Sequence, residues 1–320
     1  MKINNFVLFF LIIFSVVAKA DDPKSLDAAM RSRWIQIEYL LKNPRLQLEK
    51  RKDLTRELAE EYISDQRWQE AIWILRENGN TEQAEILERR LAEKMTQGQI
   101  EVIHKFEGSK EAARIVRIQG TNIYGIIKLN SSYFGFEIAA YKLDRILKLN
   151  LVPFTIERIL PDGRRGSIQY FIRDAVEARE SLGVVGFPSK EQKKQTEFRY
   201  YGYPTSQKNM WLLDYLIVNL DRHGRNWLWH LGEQHLRPVA IDHGISFGRG
   251  ASEKGVNFEY ENLPDSEMVQ NLKQLSLEKL RNEFTNLIGA DNVTKLFKRK
   301  IQVVRAANSM SPFSCQSLFL

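Results

Sequence analysis

Two apolar segments, each ending in an aspartate, constrain the fold more than any other feature of the chain. Residues 217–230 read IVNLDRHGRNWLWH, so that Asp221, His223 and Asn226 stand between two apolar runs. Residues 239–247 read VAIDHGISF, an apolar strand followed by Asp242 and a glycine turn. An acid that directly follows a buried helix or strand lies in a loop on a rigid scaffold, where catalytic and binding residues concentrate. The sequence therefore predicts a folded scaffold that carries two acidic loops.

Length and composition are those of a globular protein with one large domain or two smaller ones. The chain has 320 residues, of which 43% are hydrophobic and 27% charged. The net charge is +7, and the basic residues are spread apart from small clusters at 42–52 and 295–300. Spread charge favours a solvated surface over a patch for an acidic partner.

The first twenty residues are typical of a signal peptide. Lys2 precedes the apolar run FVLFFLIIFSVV, and Ala-Lys-Ala follows at 18–20. The run is short for a membrane span, so we expect cleavage after Ala20, with an uncleaved anchor as the alternative. The single cysteine, Cys315, excludes an internal disulfide. Together these features predict an exported bacterial protein, either periplasmic or secreted, with no transmembrane segment after cleavage.

The pattern along the chain predicts four regions: a signal peptide at 1–20, helices at 25–97, a sheet-rich lobe at 99–175 and a mainly helical lobe at 176–320. Within 67–94 two helices are predicted around the loop 78–80, with Thr81 as N-cap, in the manner of one tetratricopeptide unit. A structural buttress is favoured over a partner-binding module. In the first lobe, three short strands precede a helix at 136–147 and a hairpin around Asp162-Gly163.

A lysine and a glutamate in the first lobe could bind phosphate. Lys128 ends the apolar strand YGIIK, and Glu137 lies nine residues later in the predicted helix. A strand lysine paired with a helix glutamate fixes a phosphate-binding charge. Upstream, FEGSKEAA (106–113) is interpreted as a turn whose amides, at Gly108 and Ser109, cover phosphates. The plainer alternatives are a surface lysine and a solvated glutamate.

The second lobe supplies a candidate base and candidate metal ligands. Asp221 follows the buried helix MWLLDYLIVNL, in a position suited to a catalytic base. Asn226 and Asp242 offer amide and carboxylate oxygens, which suit Mg²⁺ or Mn²⁺. Phosphoryl transfer needs little beyond such a metal, a lysine and a carboxylate that orients the acceptor hydroxyl.

Other residues of the two segments have open interpretations. His223 lacks the partner spacing of a zinc site and is expected to be a hydrogen-bonded loop histidine that shapes the turn. His243 either supports the metal ligands or is simply a turn residue. Arg222 and Arg225 either bind an acidic substrate or are solvated, and the tryptophans at 227 and 229 are expected in the core. A serine hydrolase is disfavoured because no Gly-x-Ser-x-Gly occurs, and export argues against a nucleic-acid binder.

These motifs in order resemble the atypical kinases. Asp-Arg-His-x-x-Asn at 221–226, followed by Ile-Asp-x-Gly-x-x-Phe at 241–247, resembles phosphatidylinositol kinases, HipA-type kinases and the secretory-pathway kinases related to Four-jointed, the Golgi casein kinase and the xylosyl kinase. The segment FEIAAYKLDRILKLNLVP (136–153) is most similar to the secretory-pathway kinases. The resemblance covers roughly 100–260 and implies an α+β, bilobal protein-kinase-like fold, with a small antiparallel-sheet lobe and a larger helical lobe, preceded by the helical region.

The resemblance also implies roles. Lys128 would bind the nucleotide phosphates, and Glu137 would pair with it or help hold the metal. Asp221 would be the catalytic base, and Asp242 the main metal ligand with Asn226. His243 replaces the more usual Asn or Phe.

The function implied is an exported kinase that uses ATP and Mg²⁺ or Mn²⁺ to phosphorylate a hydroxyl on a protein, glycan or lipid. A catalytically idle kinase fold that binds partners through its helical region is the alternative, and AMP transfer is a third possibility.

Overall fold

The fold is described from a computed structural model. It describes residues 37, 40, 41, 43, 45–106, 113–129, 133–178, 203–231, 236–247 and 266–309. The described residues form two compact units. One comprises the residues up to Lys105 together with Arg114–Gly125, and the other comprises Phe106, Ala113 and the residues from Ile126 onward. The predicted signal peptide, Gly108 and Ser109 lie outside the described residues.

The first unit is mainly helical. Its helices are α1 (Leu48–Ser64), α2 (Trp68–Glu77) and α3 (Thr81–Gln97). α1 packs on α2 and α2 on α3, around buried side chains such as Leu58, Trp73 and Leu91. The helix pair predicted at 67–94 is therefore present, but the N-cap of α3 is Asn80 and not Thr81, which is its first helical residue. The turn closes one residue earlier than expected because the Asn80 N–H donates to Leu75 O.

A five-stranded sheet follows in the order β1-β2-β3-β5-β4. The strands are β1 (Ile100–Lys105), β2 (Arg114–Ile118), β3 (Tyr124–Leu129), β4 (Thr155–Ile159) and β5 (Arg165–Tyr170). β1 and β2 are antiparallel, as are β4 and β5, whose register pairs Ile159 with Arg165. The predicted hairpin around Asp162-Gly163 joins β4 to β5, and Gly163 has the positive φ of 80° that this turn requires.

The helix predicted at 136–147 is α4 (Phe134–Leu147), which packs on β4 and β5. Its apolar face recurs at helical spacing, and it buries Phe136, Ala140 and Leu143. Lys148 ends the helix in the left-handed conformation, and the Leu149 N–H donates to Asp144 O at 3.0 Å. This hydrogen-bonded C-terminal turn fixes where the chain leaves the helix.

The chain after the first sheet differs from the predicted pattern in two ways. The polar segment PSKEQKKQTEFRYYGYPTSQK (188–208) indicates a loop, but the helix α5 (Tyr203–Ile217) begins within it. A second sheet of β6 (Ala175–Glu177), β7 (Trp227–Leu231) and β8 (Leu236–Ala240) interrupts the region predicted to be mainly helical. Trp227 and Trp229 lie on the same face of β7 with ring centroids 5.0 Å apart, but Trp229 is 2% exposed in the core while Trp227, at the start of the strand, is only half-buried. The core prediction was therefore wrong for Trp227.

Three helices complete the second unit: α6 (Ser266–Lys273), α7 (Leu277–Ile288) and α8 (Ala290–Ser309). α7 packs on α4 and on α8, and α8 packs on α5. No helix within the described parts of the chain is both long and apolar enough to cross a bilayer. Antiparallel strands and separate helical stretches confirm the α+β class.

Candidate functional site

The site lies wholly in the second unit and is organised around the ammonium group of Lys128. Lys128 is near the end of β3, and its side chain is 15% exposed. Its Nζ lies 2.5 Å from Glu137 Oε1 and 2.7 Å from Asp242 Oδ1. A strand, a helix and a loop thus each place one charge at the same point.

The sheet brings the backbone of Lys128 close to that of β5. At Gly166 a Cβ atom would collide with the carbonyl oxygen of Lys128. Any side chain at position 166 would therefore displace one of the two strands. The position of the lysine along the sheet is fixed by close backbone packing.

Glu137 lies in the first turn of α4, and both of its carboxylate oxygens are engaged. Oε1 accepts from Lys128, and Oε2 accepts from the backbone N–H of His243 at 3.0 Å. Burial by itself would raise the pKa of this carboxyl group, but the Lys128 charge and the adjacent His243 outweigh burial and hold the pKa well below its usual range. Glu137 is therefore an anion that the surrounding protein has already satisfied.

Asp221 begins the loop that follows α5. Asp214, near the end of α5, accepts from Asn219 Nδ2 at 2.9 Å, and Asn219 Oδ1 accepts from the Asp221 N–H at 3.1 Å. Val218, directly before Asn219, has a positive φ of 54°, which is rare for a β-branched residue. The carboxylate of Asp221 is held by this loop but remains 40% exposed.

Asn226 closes the same loop. Its Nδ2 donates to Asp221 O at 2.8 Å and to Asp221 Oδ2 at 3.0 Å. The amide nitrogen is thus used within the loop, which leaves the amide oxygen of this buried residue as the atom that could accept a metal. Contact with Asn226 also fixes the orientation of the Asp221 carboxylate.

Asp242 stands between β8 and a tight turn, with a left-handed φ of 58°. Its side chain is 46% exposed. The next residue, His243, is completely buried. Phe247 packs against Phe136 of α4, with ring centroids 5.5 Å apart. The turn therefore presents the aspartate outward and anchors the residues that follow it inward.

His223 lies on the exposed side of the loop. Its backbone N–H donates to Asp221 O at 2.9 Å, and its Nδ1 accepts from the Arg225 N–H at 3.2 Å. Its Nε2 is 3.6 Å from Asp221 Oδ1. These contacts are those of a histidine that shapes the turn.

Arg222 was interpreted from the sequence as a substrate-binding or a solvated arginine, and both interpretations are wrong. Its side chain is 9% exposed. The guanidinium donates twice to Asp214 and also to the backbone carbonyls of Asn226 and Ile241. It also contacts His243 Nε2 at 3.0 Å. Apart from Asn226 in the same loop, these partners lie 8 to 21 residues away along the chain, so no local sequence signal could have revealed them.

The predicted site residues therefore form two directly bonded groups. Lys128, Glu137 and Asp242 form one, and Asp221 and Asn226 form the other. Arg222 contacts the second group at Asn226 O and reaches the first through His243, whose N–H donates to Glu137. The remaining predicted residues, Gly108 and Ser109, fall outside the described part of the chain.

The side-chain oxygens of the site are compatible with a divalent metal. Within the described residues, no three His, Cys, Asp or Glu side chains cluster as a metal site. Such a cluster is not needed when one carboxylate and one amide oxygen are completed by water and nucleotide phosphates, as Mg²⁺ prefers. The half-exposed Asp242 and the amide oxygen of Asn226 fit this chemistry, whereas the saturated Glu137 fits better as the partner of Lys128.

Residues 74–310 match the family model described as phosphatidylinositol 3- and 4-kinase. The chain belongs to this family. It is therefore a phosphotransferase that acts on a hydroxyl acceptor, and its family uses ATP with a divalent metal. The kinase-like α+β fold expected from the sequence is confirmed, as is the resemblance to phosphatidylinositol kinases. The more specific resemblance to the secretory-pathway kinases stays a prediction.

No curated protein is a significant match to the kinase chain. Among solved structures, it is similar to the Helicobacter pylori proinflammatory kinase CtkA, with 15% sequence identity and a TM-score of 0.48. That match covers 68% of this chain and 96% of the Helicobacter chain.

Proposed function

We propose that the protein is an exported kinase that transfers the γ-phosphoryl group of ATP to a hydroxyl group. The observation that carries this proposal is the contact of Lys128 with both Glu137 and Asp242. A cation between a buried and a half-exposed carboxylate is suited to hold phosphate on its open side. No other described feature of the chain explains why β3, α4 and the Asp242 turn each contribute a charge here.

In this proposal, the acceptor oxygen forms a new bond to the γ-phosphorus while the bond to the β–γ bridging oxygen breaks. Asp221 receives the acceptor's proton, because its carboxylate is exposed and oriented by Asn226. Lys128 neutralises phosphate charge, and Glu137 holds Lys128 in place. ADP leaves with the electron pair of the broken bond.

Asp242 and Asn226 would hold the divalent metal. When bound, the metal neutralises charge on the nucleotide phosphates. The local charges agree with this assignment, since the two carboxylates of Glu137 and Asp242 contact one lysine, and the negative excess favours a divalent cation. Mg²⁺ and Mn²⁺ are both compatible with these ligands.

The proposed activity can be tested by label transfer from ATP. The purified protein is incubated with Mg²⁺ or Mn²⁺ and with separate protein, lipid and glycan acceptors. Label transferred from γ-³²P-ATP but not from α-³²P-ATP supports phosphorylation, whereas the reverse supports AMP transfer. Asp221→Asn is the control and should abolish either transfer.

A thermal-shift titration separates the kinase from a catalytically idle binding module. We expect ATP with Mn²⁺ to raise the melting temperature of the wild type and to raise that of Asp242→Ala by much less. Absence of a shift in the wild type would contradict the kinase and favour the binding module. This measurement needs no knowledge of the acceptor.

Export is proposed from residues 1–20, which have a charged start, an apolar run and a small-x-small end. Expression of the full chain in a bacterium, followed by fractionation and N-terminal sequencing, tests it. We expect the mature protein outside the cytoplasm, beginning at Asp21. An intact N-terminus in the cytoplasmic fraction would contradict export.

A further inference from the structure

The guanidinium of Arg222 connects the two loops of the site. Each of its nitrogens donates a hydrogen bond: Nε and Nη2 bind Asp214 in a fork at 2.9 Å, and Nη1 binds the carbonyls of Asn226 and Ile241. Nη2 also faces His243 Nε2. With its N–H groups engaged in this way, Arg222 has little left to offer a substrate.

The partners of Arg222 bracket the residues proposed to hold the metal. Asn226 is itself one of them, and Ile241 and His243 flank the other, Asp242. The Ile241 N–H also donates to Asn226 O at 3.1 Å, so the two loops meet at this carbonyl. A displacement of the guanidinium would therefore change the separation between the Asn226 amide oxygen and the Asp242 carboxylate.

The connection continues from His243 to the lysine end of the site. Because arginine can only donate, His243 Nε2 accepts the contact from Arg222. The His243 N–H donates to Glu137 Oε2, and Glu137 Oε1 accepts from Lys128. An unbroken series of contacts thus runs from Asp214 in α5 to Lys128 in β3.

A lysine could not replace Arg222. The planar fork of arginine matches a carboxylate with two parallel bonds and still reaches acceptors on its other edge, whereas an ammonium group is a point charge on a flexible stem. A lysine at this position would keep the charge opposite Asp214 but could not also hold both carbonyls. Arg222→Lys therefore keeps the positive charge at this position and removes the planar arrangement of hydrogen-bond donors.

We propose that Arg222 is the positioning residue that sets the spacing of the metal ligands Asn226 and Asp242. This inference rests on the proposed function, in which these two residues hold the metal. It predicts that loss of the guanidinium weakens metal-dependent nucleotide binding and leaves metal-independent nucleotide binding intact. Loss of a residue that only stabilised the fold would not weaken metal-dependent nucleotide binding selectively.

The test compares Arg222→Lys with Arg299→Lys. Arg299 is also a buried arginine of the second unit; it lies in α8, and its Nε donates to Leu216 O in α5 at 2.8 Å. Affinity for a non-hydrolysable ATP analogue is measured by isothermal titration in EDTA and in Mn²⁺, on protein whose circular dichroism shows it folded.

We expect Mn²⁺ to tighten nucleotide binding in the wild type and in Arg299→Lys. In Arg222→Lys this gain should fall by about tenfold or more, the usual effect of removing a residue that orients metal ligands. Affinity in EDTA should stay within about twofold of wild type. An undiminished Mn²⁺-dependent gain in folded Arg222→Lys overturns the inference.

If Arg222→Lys does not fold, Asp214→Asn takes its place. This variant keeps an acceptor oxygen but removes the charge that anchors the guanidinium, so a smaller reduction of the Mn²⁺-dependent gain is expected. An unchanged gain in folded Asp214→Asn overturns the inference equally. A wild type in which Mn²⁺ gives no gain at all contradicts the proposed function itself, so the two failures are distinguishable.

Discussion

The carboxylates of the site lie in two contrasting environments. Glu137 has a side chain that is 4% exposed, and the protein engages both of its oxygens. Asp221 and Asp242 are 40% and 46% exposed. In Asp242, Oδ1 contacts Lys128, and Oδ2 has no hydrogen bond to any residue that the structure describes.

The difference in exposure indicates different roles: the buried carboxylate positions Lys128, and the half-exposed carboxylates are available to a metal or a proton. A buried carboxylate whose oxygens are all occupied can fix a neighbouring cation but cannot take up a new ligand without losing an old one. A half-exposed carboxylate keeps room for a metal or a proton. The comparison therefore predicts that substitutions at Glu137 change stability and activity together, whereas those at Asp242 change activity alone.

Of the two carboxylates that contact Lys128, Asp242 should show the larger effect on activity when it is replaced by Asn. The amide can still accept from Lys128 but lacks the charge that a divalent metal requires. We expect transfer to fall by at least about 10³-fold, which corresponds to the several kcal/mol that a metal contributes to the transition state. Unfolding free energy should change by less than about 1 kcal/mol because the ion pair is half exposed. Label transfer and thermal denaturation measure the two; a large loss of stability would contradict the contrast.

Glu137→Gln should reduce both quantities. Removal of one partner from a buried ion pair costs about 3 kcal/mol of stability. Misplacement of Lys128 should lower transfer by about 100-fold. Denaturant titration and label transfer measure these effects, and a variant as stable as wild type would show that the buried contact is not a positioning device.

The dependence of the unfolding free energy on pH, below neutrality, tests whether Glu137 is buried and paired as described. The pKa of Glu137 is lowered in the folded protein, so its stabilising contribution is fully present above the unfolded value of about 4.3 and is lost as the pH falls toward the folded pKa. The difference in unfolding free energy between wild type and Glu137→Gln should therefore narrow from pH 6 to pH 3. A constant or widening difference in urea titrations across this range would contradict the assignment.

Glu267→Gln should have the smallest effect. Glu267 pairs with Lys148 at 3.3 Å, but both side chains are 66% exposed. Water and salt screen such a pair, so we expect a change below about 0.5 kcal/mol and unaltered transfer. It is the exposed counterpart of Glu137→Gln, and a comparable loss in both variants would show that burial does not govern the difference.

Much of the site was predictable from the sequence because its residues follow recognisable elements. Lys128 ends an apolar strand, Glu137 lies on a strongly periodic helix, and Asp242 follows a short strand. The hairpin around Asp162-Gly163 was predictable for a similar reason, since turn chemistry is local. These features depend on neighbours within a few residues along the chain.

The features that were not predicted depend on distant partners. The second sheet pairs β6 with β7 across some fifty intervening residues, a separation at which sequence patterns carry little information. Arg222 has its partners in α5, in its own loop and beyond β8, and an arginine beside a charged loop is ordinarily solvated. Its role follows only from the geometry.

Gly135 has a consequence for how the kinase could be regulated. It lies in the first turn of α4, where a Cβ atom would collide with the carbonyl oxygen of Leu287 in α7. At this point the backbone of α4, the helix that carries Glu137, packs directly against the backbone of α7, with no side chain of residue 135 between them. We expect that a displacement of α4 would also displace α7. An activator or inhibitor that acts by moving α4 would therefore have to move the two helices together.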